Sequence, residues 1–144
     1  MADQTTSTIL VEAPPAAVMA VIADFPAYPS WAKGIVRADV LASQPGQRAD
    51  RVHFEVDVPP IRDEYTLAYT WVDDTAVTWT LAEGKMLKAL DGAYELRAVD
   101  GGTEVVYRLS AELAIPLIGM LKRKGEKILI DTALKGLKKR VESL

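Results

Sequence analysis

The stretch IPLIGMLKRKGEKILIDTALKGLKKRVESL, Ile115 to Leu144, decides how the rest of the chain is read. It opens on Pro116, contains no further proline and is otherwise built of good helix formers. That predicts one long helix of roughly 40 Å at 1.5 Å per residue. At 100° per residue its apolar side chains fall in two clusters. Leu117, Met120, Leu121 and Ile128 share one side; Ile130, Ala133, Leu134, Leu137 and Val141 lie nearly opposite. Lys122, Arg123, Lys124 and Lys127 sit at the changeover, around Gly125. The expectation is a helix that covers two surfaces or bends near Gly125. Its second half would clamp a sheet, and its first half, Leu117 to Ile128, would lie over a wider, less filled end.

The rest of the chain reads as that sheet. Ser7–Glu12 alternates as a strand, and Pro14-Pro15 then opens a short buried helix over Pro15–Ala23. Pro26–Lys33 reads as a second short helix, with Gly34 as its C-cap. Six strands follow: Ile35–Ala42, Arg51–Val58, Arg62–Val72, Ala76–Ala82, Leu87–Val99 and Thr103–Leu113. The connections between them are short and rich in Gly, Pro and Asp, so these strands form an antiparallel meander. Alternation places Val52, Phe54, Tyr65, Leu67, Tyr69, Trp71, Val77, Trp79, Tyr94 and Tyr107 on an apolar face. His53, Glu55, Glu64 and Thr66 lie on the polar one.

Seven strands are too wide for one helix about 10 Å across unless the sheet curls around it. A curled sheet gripping a helix leaves interior space, and the apolar face is rich in rings with polar tips. Each such ring is either core filler whose tip reaches backbone or water, or the wall of a cavity. The ligand-lining candidates are Trp31, Phe54, Tyr65, Tyr69, Trp71, Trp79, Tyr94 and Tyr107, with Met120 and Leu121 as a gate.

Composition narrows the function classes. The 144 residues suit one domain spanning 1–144, of ordinary globular composition, with no apolar run long enough to cross a membrane. The polar start MADQTTST lacks the pattern of a secretory signal. Zero cysteines exclude disulfides, thiol catalysis and thiolate metal sites and fit a cytoplasmic location. From Lys122 to Glu142 there are eight Lys/Arg against three Asp/Glu, a net of +5, so the remainder carries −8. An acidic body with a basic helix is not the footprint of a general nucleic-acid binder, and no specific nucleic-acid partner is expected.

The order strand, two short helices, six-strand meander, long C-terminal helix resembles the α+β helix-grip fold of START-like proteins, the SRPBCC superfamily. VEAPPAAVMAVIADFPAYPSWAKGI (Val11–Ile35) looks like the opening of its bacterial polyketide cyclase/dehydrase-type branch. IRDEYTLAYTW (Ile61–Trp71), DGAYEL (Asp91–Leu96), GGTEVVYRL (Gly101–Leu109) and the helix itself look like small actinobacterial members. The resemblance implies a domain holding a hydrophobic small molecule, lipid or polyketide-like, between sheet and helix. It does not imply catalysis: cyclases of the family rely on polar groups inside the cavity, and no such constellation is matched in this chain.

The residues leave few chemical options. His53, the sole histidine, falls on the polar face and reads as a surface residue; with no cysteine it supplies no typical zinc site. No phosphate-cradling or dinucleotide glycine pattern occurs, and no cofactor is expected. Asp24 reads as a cap or brace at the end of the first helix. Asp63 and Glu64, beside Arg62, read either as a strand-end salt bridge or as acid–base candidates working with Tyr65 or Tyr69. Asp91-Gly92-Ala93 places small residues mid-strand, read as room for the long helix. The cluster Leu117–Lys124 has three readings: an ordinary helix start, a gate, or a basic contact for a membrane surface or nucleic acid through Lys122, Arg123 and Lys124.

Overall fold

The computed structural model describes residues 4–58, 61–113 and 119–144, without the side chains of 58, 61, 113 and 119–122. Its elements are β1 (Thr5–Val11), α1 (Pro15–Ala23), a 3-10 turn (Phe25–Ala27), α2 (Tyr28–Trp31) and β2 (Ile35–Ser43). There follow β3 (Ala49–Val58), β4 (Ile61–Val72), β5 (Ala76–Gly84), β6 (Leu87–Val99), β7 (Gly102–Leu113) and α3 (Gly119–Glu142). All seven strands join one antiparallel sheet in the order β1-β7-β6-β5-β4-β3-β2. β2 to β7 therefore form the expected meander, and β1 closes onto β7, pairing Thr5 with Leu109 and Val11 with Thr103. The sheet curves around its apolar face, with the helices on that side: the α+β helix-grip arrangement.

The expected second helix over Pro26–Lys33 is shorter than predicted. A 3-10 turn feeds a four-residue helix that ends with Ala32 as C-cap. Gly34 does adopt a left-handed backbone (φ 89°), but in the turn into β2, where its carbonyl accepts a hydrogen bond from the Asp57 amide. The Asp24 side chain makes no capping hydrogen bond; only its backbone carbonyl serves the next turn, accepting from the Ala27 amide.

α3 corrects the two-cluster reading of its sequence. Ile130, Leu134, Leu137 and Val141 are buried as expected, but Ile128 is 59% exposed and Leu129 53% exposed. The buried stripe instead continues N-terminally through Glu126, one turn before Ile130, so residues 123–142 present a single face to the protein. Gly125 is exposed and opens on free space. The buried carboxylate ties the helix to both strands beneath it: it accepts from Thr5 Oγ1 at 2.7 Å and from the Ala111 amide at 2.8 Å. Asp131 adds a bond from Ser7 Oγ at 2.7 Å. Leu117 lies outside the described residues.

Two glycines are required by close approach. A Cβ on Gly92 would lie 2.3 Å from the Trp79 ring, which covers the glycine from the paired strand. The small residue therefore makes room for an indole rather than for the long helix. A Cβ on Gly102 would meet the Val11 carbonyl at 2.0 Å, so this glycine lets β1 reach β7.

Candidate ligand site

All ten aromatic residues of the chain, three Trp, five Tyr and two Phe, join one network of ring contacts. Phe25 is its hub. Delivered by the turn between α1 and α2, it lies 4.9 Å from Tyr69, 5.1 Å from Tyr28 and about 6 Å from Phe54 and Trp71, between ring centroids. Tyr69 leads to Trp79 at 5.8 Å, Trp79 to Tyr94 at 5.4 Å, and Tyr94 to Tyr107 at 4.6 Å in an edge-on contact. Strand alternation puts the sheet's rings on the inner face, and residues of the 3-10 turn and α2 meet them from the other side. Phe25 and Tyr28 are absent from the lining set that strand alternation yields. The signal for them is the Asp24-Phe25-Pro26 break, which turns a large ring inward at a helix end.

The rings differ in what their polar tips reach. Tyr28 donates its hydroxyl to the Ile22 carbonyl in the last turn of α1, satisfying one of the carbonyls a helix end leaves open. Trp71 donates its indole N–H to the Ala49 carbonyl at 2.7 Å, and Arg48 lies over its ring. The hydroxyls of Tyr65, Tyr69, Tyr94 and Tyr107 and the Trp79 indole N–H have no hydrogen-bond partner among the described residues. Yet no side-chain nitrogen or oxygen there is both sealed from solvent and unpartnered. Each of these five tips therefore keeps some solvent-accessible area while its ring is buried or half-buried.

The phenols sense this environment and one another. Burial pushes Tyr65 up to about 12, with the Asp63 charge adding to the shift. Burial raises Tyr69, Tyr94, Tyr107 and Tyr28 well above the usual phenol value, and neighbouring tyrosines reinforce each shift. All five phenols stay neutral donors through the physiological range.

The two acid candidates part company. Asp63 is 8% exposed and shares the inner face with Tyr65. Its Oδ1 accepts from the Glu64 amide at 2.8 Å and the Met86 amide at 3.3 Å; Oδ2 has no partner among the described residues and is not fully sealed from solvent. This replaces the strand-end salt bridge as the account of Asp63. Glu64 points to the outer face, where Lys85 at 2.7 Å and His53 at 3.4 Å flank it. The Lys85 bond, then the His53 bond, hold its carboxyl below the usual range. His53 is half-buried rather than fully exposed, its Nδ1 at 3.0 Å from Thr66 Oγ1. Among the described residues no three His, Asp or Glu side chains gather as a metal site.

Trp31 stands apart, against Tyr28 and the backbone of Gly136, and opens on a groove of about 310 Å³ with Ala17, Asp24 and Arg140. A second hollow of about 310 Å³ lies over Thr70, Thr78 and Thr80. Neither hollow is lined by tyrosine, and Trp79 lines the second together with Gly92. Met120, Leu121 and Lys122 fall outside the described side chains.

Solved structures repeat this fold over the whole chain. A START superfamily protein from Mycobacterium smegmatis superposes with a TM-score of 0.90 at 20% identity, covering 97% of each chain. A protein from Thermus thermophilus gives 0.83 at 22% identity over 98% of each. The Zhui aromatase/cyclase of Streptomyces sp. R1128 gives 0.76 at 16% identity, covering 99% of this chain and 94% of that one. No curated protein matches the sequence. Residues 2–142 match the family described as polyketide cyclase / dehydrase and lipid transport, and the chain belongs to that family.

Proposed function

We propose that the protein binds a hydrophobic small molecule, lipid or polyketide-like, between the curved sheet and the C-terminal helix, and that the ligand carries hydrogen-bond acceptors. The observation that carries this reading is the set of inner-face donors left without partners: the hydroxyls of Tyr65, Tyr69, Tyr94 and Tyr107 and the Trp79 N–H. A pure hydrocarbon would strand these donors on a drying wall, at about 1–3 kcal/mol for each one left unpaired. A ligand with ketone, ester or hydroxyl oxygens meets them. Aromatic walls supply the apolar contact area and few donors fix orientation, the usual chemistry of a small-molecule site. Native mass spectrometry of freshly purified protein should reveal a bound hydrophobe, or the stripped protein should gain thermal stability with one. Neither effect across a broad lipid and aromatic panel would refute the reading.

Asp63 supports a second reading, a polyketide-type cyclase or dehydratase. A carboxylate with one free oxygen beside Tyr65 suits removal of a proton from carbon next to a carbonyl. The electron pair would move onto the carbonyl oxygen, and a phenol O–H would stabilise that charge. Given a substrate, Asp63→Asn should abolish turnover while binding persists, and Glu64→Gln, on the far face, should leave it intact. Unchanged turnover in Asp63→Asn removes this reading and leaves the binding module.

A further inference from the structure

The outward face of α3 brings exposed large apolar side chains and cations together on a single rigid element. Ile128 and Leu129 are 59% and 53% exposed although the same helix buries Ile130 beside them. Lys124, Lys135 and Lys139 are exposed and form no ion pair among the described residues. At 100° per residue these three lysines and Ile128 fall within about 60° of arc, with Leu129 on the flank. Two carboxylates share this side, each already paired: Asp131 with Lys127 and Ser7, and at longer range with Lys135, and Glu142 with Lys138 and the Glu12 amide. The face is therefore positive where it is open.

From this we propose that α3 is a docking face for an anionic phospholipid membrane, on which the protein lies peripherally with the helix axis along the surface. Charge complementarity selects this partner. The segment from Lys122 to Glu142 carries +5 and the rest of the chain −8, so an anionic surface attracts the helix and turns the acidic body away. The two apolar side chains select against the alternatives. Phosphates of a nucleic acid would use the lysines and leave Ile128 and Leu129 in water, whereas the boundary between lipid headgroups and acyl chains takes up both kinds of side chain. No helix among the described residues is long and apolar enough to cross a membrane, which is consistent with an element that lies on one. The proposal stands without the ligand reading, since none of its residues borders the phenols.

The test is sedimentation of the full chain with phosphatidylcholine vesicles, with and without about 30% phosphatidylglycerol. The expected result is partition onto the anionic vesicles only, falling about tenfold or more between low and high salt. The pair Ile128→Gln/Leu129→Gln and the triple Lys124→Gln/Lys135→Gln/Lys139→Gln should each weaken partition about tenfold, with an unchanged melting temperature showing that the fold persists. Four results would overturn the proposal: no partition, equal partition onto both vesicle types, loss with the lysines alone, or salt-sensitive self-association through the same lysines. The third would point to a generic polyanion such as RNA, the fourth to the acidic body of a second copy.

Discussion

Five tyrosines look alike in the sequence and do different work in the fold. Tyr28 spends its hydroxyl on the Ile22 carbonyl, so Tyr28→Phe should orphan a buried acceptor and cost about 1–3 kcal/mol in chemical denaturation. Tyr94→Phe and Tyr107→Phe orphan nothing in the empty protein and should change its stability by less than about 1 kcal/mol. Comparable losses at Tyr28 and Tyr94 would mean that the free hydroxyls are not free. Alternation alone puts Tyr65, Tyr69, Tyr94 and Tyr107 on the inner face, because a two-residue period is a local property of the strand. Which tip finds a partner depends on carbonyls contributed from far along the chain, as Ala49 does for Trp71 across 22 residues, and no local pattern carries that.

At the scale of elements, α3 shows why an apolar wheel can mislead. Its sequence implies two buried faces if a glutamate is assigned to water and an isoleucine to the interior. Glu126 is buried instead, its carboxylate facing two donors that β1 and β7 supply. Such a position is legible only once the strand termini are known to converge under the helix. Glu126→Ala should leave the Ala111 amide unpaired and cost about 1–2 kcal/mol of unfolding free energy, while Glu126→Gln keeps an acceptor and loses less. Equal effects of the two substitutions would argue against the tether. The meander, by contrast, is legible throughout, since short turns between alternating segments admit little besides antiparallel neighbours. The helix between Phe25 and Trp31 is legible in place but not in length, because Pro26 and Pro29 restrict how far regular hydrogen bonding extends.

At the scale of the whole molecule, the neutral phenols set the alkaline limit of stability. Every tyrosine has its folded-state ionisation raised above the ordinary value of 10.0, by burial first. Raised values favour the protonated phenol in the folded state. Their contribution is thus complete below pH about 10 and is lost as pH climbs through the folded values, beginning with Tyr65 at about 12. Phenolate absorbance should therefore stay silent past pH 10 and appear together with loss of the circular dichroism signal. Phenolate appearing near the ordinary value of about 10 in a still-folded protein would place a tyrosine in water.

The same donors carry the central claim, that the interior receives an apolar molecule bearing oxygen acceptors. The most direct measurement is calorimetric titration of the protein with a matched pair, anthraquinone and anthracene, and of the Tyr94→Phe/Tyr107→Phe variant with the quinone. The account predicts that the quinone binds about tenfold or more tighter than the hydrocarbon, and that the variant loses roughly threefold to tenfold per phenol removed. Equal affinity for the two ligands, or a variant that binds the quinone as well as the parent does, would contradict it.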